Sequence, residues 1–182
     1  MFSEEQIIEG CRKNDRKAQK VLYDRYASLF LGICLRYAQS RQEAEDILQD
    51  GFVKIFFRIK QFKGQGSFEG WMKRIIINTA ISNYRSNLKH YYKQDIQEVP
   101  DSSHNINVPD CDFTKEELLE VIQELSPGYR IVFNLFAIEG YKHKEIAKML
   151  NIDITTSKSQ YSRAKKILQK KLQLISAEKT IA

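Results

Sequence analysis

All three prolines of this chain stand at position 100 or later, which leaves the first 99 residues free to be helical. Apolar residues recur at helical spacing almost throughout that stretch. Phe2-Ser3-Glu4-Glu5-Gln6-Ile7 reads as a helix start, with Ser3 as the cap, Gln6 reaching back to it and Phe2 packing on Ile7. Lys13-Asn14-Asp15 reads as a break. Ala18, Val21, Leu22, Leu29, Phe30, Ile33 and Cys34 form one stripe. Ser40-Arg41-Gln42-Glu43 is a second capping box, and Ala44, Ile47, Leu48, Phe52, Ile55, Phe56 and Ile59 form the stripe behind it. Gly64, Gly66 and Gly70 then cluster in one short segment, and a last helix is expected from Phe68 to Leu88.

From His90 to Phe113 the periodicity stops. This stretch is polar, carries Pro100 and Pro109, and reads as a flexible linker. Charge marks the same boundaries. Residues 1–89 hold 16 Lys and Arg against 10 Asp and Glu, residues 90–113 hold 1 against 5, and residues 114–182 hold 12 against 8. The net charge of +6 is thus two basic blocks joined by an acidic connector, which favours an acidic partner, nucleic acid before a membrane surface. Fully extended, such a connector reaches roughly 80 Å, over two turns of duplex DNA.

The second block resumes at Thr114, a cap for a helix whose third residue is Glu117, with Leu118, Leu119, Ile122 and Leu125 behind it. Ser126-Pro127 is a cap followed by proline in the first helical position. Tyr129, Val132, Phe133 and Phe136 form a stripe that ends at Gly140. A short helix is expected over His143 to Leu150, then a tight connector, Asn151-Ile152-Asp153. The last helix is expected to start near Thr155 or Thr156 and to run to about Ile175. Strand alternation, internal repeats and low-complexity runs are absent from the sequence. The fold class is all-α, in two small helical domains joined by a flexible acidic linker: 1–89, a linker over 90–113, and 114–182.

Three constellations bear on function. A short helix, a connector of a few residues and a basic helix make a helix-turn-helix, whose second helix enters the major groove of DNA. Residues 155–171 hold Lys158, Arg163, Lys165, Lys166, Lys170 and Lys171 and no acid, with Ser157, Ser159 and Gln160 near the start. The blander alternative is a helical hairpin with a solvated basic face. Next, Phe62-Lys63-Gly64-Gln65-Gly66-Ser67-Phe68-Glu69-Gly70-Trp71 interleaves glycine, aromatic and basic residues. It reads either as a stacking clamp for unpaired bases or as a glycine loop with its aromatics in the core. Third, Glu43, Glu45, Asp46 and Asp50 gather acid at one helix start. Such acid suits the helix dipole or a docking patch for a basic partner, while a carboxylate metal site would need more ligands than these.

Other classes are poorly served. No apolar run nears the roughly 20 residues of a membrane span, and the first residues lack the apolar stretch of a signal peptide. Cys11, Cys34 and Cys111 make neither a metal pair nor a disulfide framework, which suits a reducing cytoplasm. No zinc spacing, Walker loop or nucleophile elbow is present, so no catalytic residue, metal or cofactor is expected.

In order and spacing, these segments resemble the sigma-70 family of bacterial RNA polymerase sigma factors, in its extracytoplasmic-function (ECF, group 4) subgroup. Ala44-Glu45-Asp46-Ile47-Leu48-Gln49-Asp50-Gly51-Phe52-Val53-Lys54-Ile55-Phe56 resembles the helix that docks on the clamp of the β′ subunit. Phe62 to Ser67 and Trp71 to Tyr84, with Ile77-Asn78-Thr79-Ala80, resemble the −10-reading and melting segment. Ser126 to Arg130 and Tyr141 to Lys165 resemble the −35-reading helix-turn-helix. The resemblance implies a region 2 bundle over 1–89 and a region 4 helix-turn-helix over 114–182. It implies that Asp46, Gln49, Asp50 and Phe52 contact polymerase core. Phe62, Lys63, Gly64, Gln65, Gly66, Ser67 and Asn78 would hold a flipped −10 base, and Trp71, Lys73, Arg74, Tyr84 and Arg85 would support the opened strand. Thr156, Lys158, Ser159, Gln160, Arg163 and Lys165 would face the −35 element. The implied partners are RNA polymerase core, promoter DNA and an anti-sigma factor, in the cytoplasm and without membrane insertion.

The sequence departs from the family at one place. Many members open the recognition helix with glycine-threonine-valine and add an arginine, where this chain has Thr155-Thr156-Ser157 and Gln160. Gln160 favours adenine where arginine favours guanine. Two other functions remain to be separated from a sigma factor: a stand-alone DNA-binding regulator that uses only residues 114–182, and a nucleic-acid enzyme with a helix-turn-helix tail.

Overall fold

A computed structural model describes residues 2–91 and 112–181 of the chain. Every regular element among them is helical. α1 spans Glu4–Arg12, α2 Arg16–Tyr37, α3 Arg41–Arg58 with a 3₁₀ turn at Ile59–Gln61, and α4 Phe68–Tyr91. After the undescribed stretch come α5 (Lys115–Gln123), α6 (Pro127–Phe133) running into a π-turn at Asn134–Ile138, α7 (His143–Leu150) and α8 (Ile154–Ile181). The chain divides into two compact units, Met1–Asn83 and Tyr84–Ala182. Most of the connector expected over 90–113, with Cys111, lies outside the described residues. α4 itself runs on to Tyr91, past the Leu88 that the periodicity suggested.

In the first unit the caps fix the helix starts. Ser3 Oγ accepts from the Gln6 N–H (3.2 Å) while Gln6 Oε1 accepts from the Ser3 N–H (2.9 Å). A cap of this kind contributes about 1 kcal/mol. Asn14, in the left-handed region at φ 59°, makes the break, and Asp15 caps α2 by accepting from the Lys17 N–H at 2.8 Å. The box expected at Ser40 forms only by half. Ser40 Oγ accepts from the Glu43 N–H, but the Glu43 carboxylate passes Ser40 and accepts from the Gln39 N–H (2.7 Å) and from Asn83 Nδ2 (2.6 Å). A partner on α4 outcompetes the local one and ties the start of α3 to α4.

The core of this unit is built from the inner faces of α2, α3 and α4: Leu22, Phe30, Ile55, Met72 and Ile76 are all but fully buried. Each such side chain contributes about 1.5–3 kcal/mol. Leu29, expected in the α2 stripe, is 48% exposed, because it sits a third of a turn away from Phe30. Cys34 and Cys11 are buried free thiols. Burial pushes Cys34 up to about 12, and burial with the Asp15 carboxylate pushes Cys11 up to about 11, so both are inert.

In the second unit Thr114 and Glu117 form the full capping box, at 3.2 and 2.8 Å. Val121, Leu125, Ala164 and Leu168 make the centre of the core between α5 and α8, with Tyr129, Phe133, Leu172 and Ile175 packed around it. α6 does not end cleanly. The Glu139 N–H reaches back to the Asn134 carbonyl (2.9 Å) and the chain leaves through Gly140 at φ 77°. α8 starts at Ile154 and runs six residues beyond the expected Ile175. Tertiary contacts carry it on. Lys171 pairs with Glu124, and Lys179 Nζ donates to Glu117 Oε2 (2.8 Å) and the Asp112 carbonyl (2.9 Å) while sitting 5.5 Å from the Phe113 ring centre. The Lys179 ammonium and the Thr114 amide hold the Glu117 carboxyl below its ordinary range.

Candidate nucleic-acid interface

The turn between α7 and α8 is made by Asn151, in the left-handed region at φ 56°. Asparagine tolerates that conformation better than most side chains. The Ile152 N–H closes back on the Ala147 carbonyl at 3.0 Å, and α8 begins with the Ser157 N–H on the Asp153 carbonyl at 3.0 Å. This tight reversal lays α8 across α7. Ala164 and Leu168 go inward and are buried. Lys158, Ser159, Arg163 and Lys165 are exposed, and Thr156 and Gln160 are half-buried beside them. Thr156, Gln160 and Arg163 share one stripe of the helix, with Ser159 next to it. Ser159 Oγ donates to the Thr156 carbonyl at 3.0 Å and Arg163 Nη1 reaches the Tyr129 hydroxyl of α6 at 3.5 Å. Short polar groups with cations around them are the chemistry of base edges and phosphates.

In the glycine segment the phenylalanines lie in the core and the residues between them lie at the surface. Phe62 and Phe68 are buried with their ring centroids 5.1 Å apart, and they meet the Trp71 ring at 5.5 and 5.8 Å. Between them Lys63, Gly64, Gln65, Gly66 and Ser67 are exposed. Gly64 (φ 73°) and Gly66 (φ 84°) both need the left-handed conformation, and so only glycine is comfortable there. Ser67 also caps α4, accepting from the Gly70 N–H at 3.2 Å. Along α4, Arg74, Asn78 and Arg85 fall on one exposed stripe together with Ser82, which the sequence reading did not single out. Lys73 and Tyr84 are half-buried on the neighbouring face.

On α3, Asp46, Gln49 and Asp50 are exposed and share a face. That line continues into Val53, 51% exposed, and Phe57, 82% exposed, which border a groove with Asn14, Gln19, Phe56 and Lys60.

Residues 22–89 match the family described as Sigma-70 region 2, and residues 115–168 match Sigma-70, region 4. The chain belongs to the sigma-70 family, as an ECF-type sigma factor. It is similar to the ECF RNA polymerase sigma-E factor of Haemophilus influenzae, 26% identical over 94% of this chain and 96% of the relative. It is likewise 26% identical to the RNA polymerase sigma-H factor of Pseudomonas aeruginosa, over 93% and 94% of the two chains. Among solved structures, the Bartonella quintana sigma factor RpoE, in complex with the anti-sigma factor NepR, shares the fold at a TM-score of 0.51 and 19% identity, covering 85% of this chain and 96% of that one. A sigma factor joins RNA polymerase core, recognises promoter elements and starts transcription, and that is the role of this chain.

Within the sigma factor, two expected contact residues turn out to be interior. Phe52 is 3% exposed and packs on Tyr23 (4.7 Å) and Phe30 (6.0 Å). The period of α3 that turns Asp46, Gln49 and Asp50 outward turns Phe52 in. Phe62 is 7% exposed. It anchors the base of the glycine loop, and its ring is not an exposed stacking face. Its carbonyl accepts from Arg12 Nη2 at 2.6 Å, a bond from α1 across 50 positions that no local pattern announces. No cluster of metal-ligating side chains occurs among the described residues, and no helix among them is long and apolar enough to cross a membrane.

Proposed function

We propose that this sigma factor docks on the β′ clamp of RNA polymerase core through the outer face of α3, with Asp46, Gln49 and Asp50 as the polar part and Val53 and Phe57 as the apolar part. Lys63, Gly64, Gln65, Gly66 and Ser67, with Asn78, receive a flipped −10 base over the Phe62–Phe68–Trp71 aromatic floor, and Arg74 and Arg85 hold the strand. Lys73 and Tyr84 support them. Thr156, Lys158, Ser159, Gln160, Arg163 and Lys165 read the −35 element. Residues 1–89 then serve the clamp and the −10 element, 90–113 the span between elements, and 114–182 the −35 element. The factor is an initiation subunit that leaves the chemistry to core, works in the cytoplasm where core is, and is restrained by an anti-sigma factor.

The observation that carries the reading is the outer face of α8, basic and short-chained over its first turns and presented by the turn at Asn151. The test mixes the full chain with sigma-free core and follows co-elution with and without excess housekeeping sigma. Co-elution that the competitor displaces is expected, and Asp50→Arg weakens it by about tenfold. An active core preparation that fails to retain the chain would overturn the docking assignment and leave a two-domain DNA-binding protein.

A further inference from the structure

We infer that His143 and Ser157 form a part-buried polar brace across the helix-turn-helix, which sets the pose of the first turn of α8 and so makes both of them positioning residues for −35 reading. The inference rests on the −35 role proposed above for α8.

Ser157 stands where many family members carry an apolar packing residue, yet it is fully buried at 0% exposure. A buried hydroxyl is costly unless it is hydrogen-bonded. Its partner is His143 Nδ1 at 2.9 Å, on the first turn of α7 and 14 positions away. Two aromatic rings fix the imidazole in its turn. Phe136, in the π-turn after α6, stacks on it at 4.2 Å between centroids and 12° between planes, and Tyr161 of α8 tilts against it at 5.9 Å. Phe136 and Tyr161 also touch each other at 4.5 Å. The end of α6, the start of α7 and the second turn of α8 therefore meet on one ring.

The position of that ring nitrogen dictates where Ser157 sits, and Ser157 lies between Thr156 and Lys158 on the reading helix. An apolar side chain at 157 could slide or roll within its pocket. A hydrogen bond constrains both distance and angle, so the polar pair defines the rotation of α8 more narrowly. Neutrality of the ring supports the arrangement. Burial, and the nearby Lys158 ammonium, lower the affinity of His143 for a second proton. A neutral imidazole pairs with a hydroxyl as either donor or acceptor.

The test takes a promoter that the wild-type holoenzyme selects from a library randomised at both elements. It measures transcription from that promoter and from a copy with the −35 element scrambled; their ratio is the −35 dependence. His143→Phe keeps the stacked ring and removes Nδ1, and Ser157→Ala removes the hydroxyl. Each is expected to lower the ratio by about fivefold, and the double variant by no more than either alone, because the two residues act as one unit. Output from the scrambled copy and co-elution with core should stay within about twofold of wild type. Unchanged single variants, or losses that multiply in the double variant, overturn the brace. Gln160→Ala separates the two levels of the argument: if it also leaves the ratio unchanged, the −35 role of α8 falls and the brace with it. If it collapses the ratio while the other variants do not, only the brace falls. A readout independent of variant folding is the long-range ¹H–¹⁵N spectrum of His143 in the wild-type chain. An Nδ1 resonance displaced from that of a solvated neutral imidazole is expected, and one at the solvated position would refute the bond.

Discussion

Gly10 and Gly32 both lie inside helices, and their surroundings give them opposite meanings. A Cβ on Gly10 would stand 2.5 Å from the Cβ of Ala18, a buried atom with no flexible end to move aside, whereas a Cβ on Gly32 meets nothing within 4 Å. Gly10 is thus the contact at which α1 and α2 approach each other. Gly10→Ala is expected to destabilise the first unit by about 1–3 kcal/mol through overpacking. Gly32→Ala should stabilise it by about 0.5–1 kcal/mol through helix propensity alone. Urea unfolding followed by far-ultraviolet circular dichroism measures both, and like signs for the two variants would break the argument.

At the scale of elements, the turn between α7 and α8 depends on one backbone conformation. Asn151 sits at φ 56° and ψ 49°. Asn151→Gly should be neutral within a few tenths, and Asn151→Ala should cost about 1 kcal/mol, because alanine has neither glycine's freedom nor a side-chain amide to offset the strain. Thermal melts of the two variants compare them directly. The same helix pair carries a pH dependence. His143 binds its proton more weakly when folded than its ordinary value near 6.5 implies. Folding therefore favours the neutral ring. This contribution is complete above the ordinary value and is lost as pH falls from there through the lowered folded value. The melting temperature of the wild type should drop over that window more than that of His143→Phe. Equal slopes would show that the ring is not the source.

The span of α8 shows what an element inherits from its neighbours. Its start was expected within two residues, because Asn151-Ile152-Asp153 is a recognisable connector. Its end was not, because the final turns are held by Lys171 on Glu124 and by Lys179 on Glu117 and the Asp112 carbonyl. Those partners stand more than 40 positions earlier in the chain. The Ser40 box failed by half for the same reason, since Asn83 offered Glu43 a partner that a four-residue motif cannot contain.

At the scale of the whole molecule the +6 charge is informative through its layout. Phosphate contacts release counterions, so promoter binding by the holoenzyme should weaken steeply with salt. Lys158→Ala and Arg163→Ala are each expected to flatten the slope of log affinity against log salt by about 1. A loss of affinity with an unchanged slope would mean that the residue acts on bases or on folding and not on phosphate. The measurement is a salt titration of holoenzyme on a fluorescent promoter fragment.

The sequence by itself determined the helices, the capping boxes at Ser3 and Thr114, the all-α class and the family, whereas the expected cap Ser126 makes no side-chain cap bond ahead of Pro127. Those features are written in local spacing: a cap and its partner lie three residues apart, an apolar stripe repeats every three to four, and proline is absent where helices must run. Only the tertiary structure decided which aromatic residues are exposed. The stripe that includes Phe52 and the loop that begins with Phe62 were visible, but both rings are interior, and the α3 face at Val53 and Phe57 is the one left open. It likewise decided that Arg12 holds the Phe62 carbonyl and that His143 holds Ser157. Each of these joins residues that chain spacing leaves unrelated and that packing alone brings within hydrogen-bonding distance.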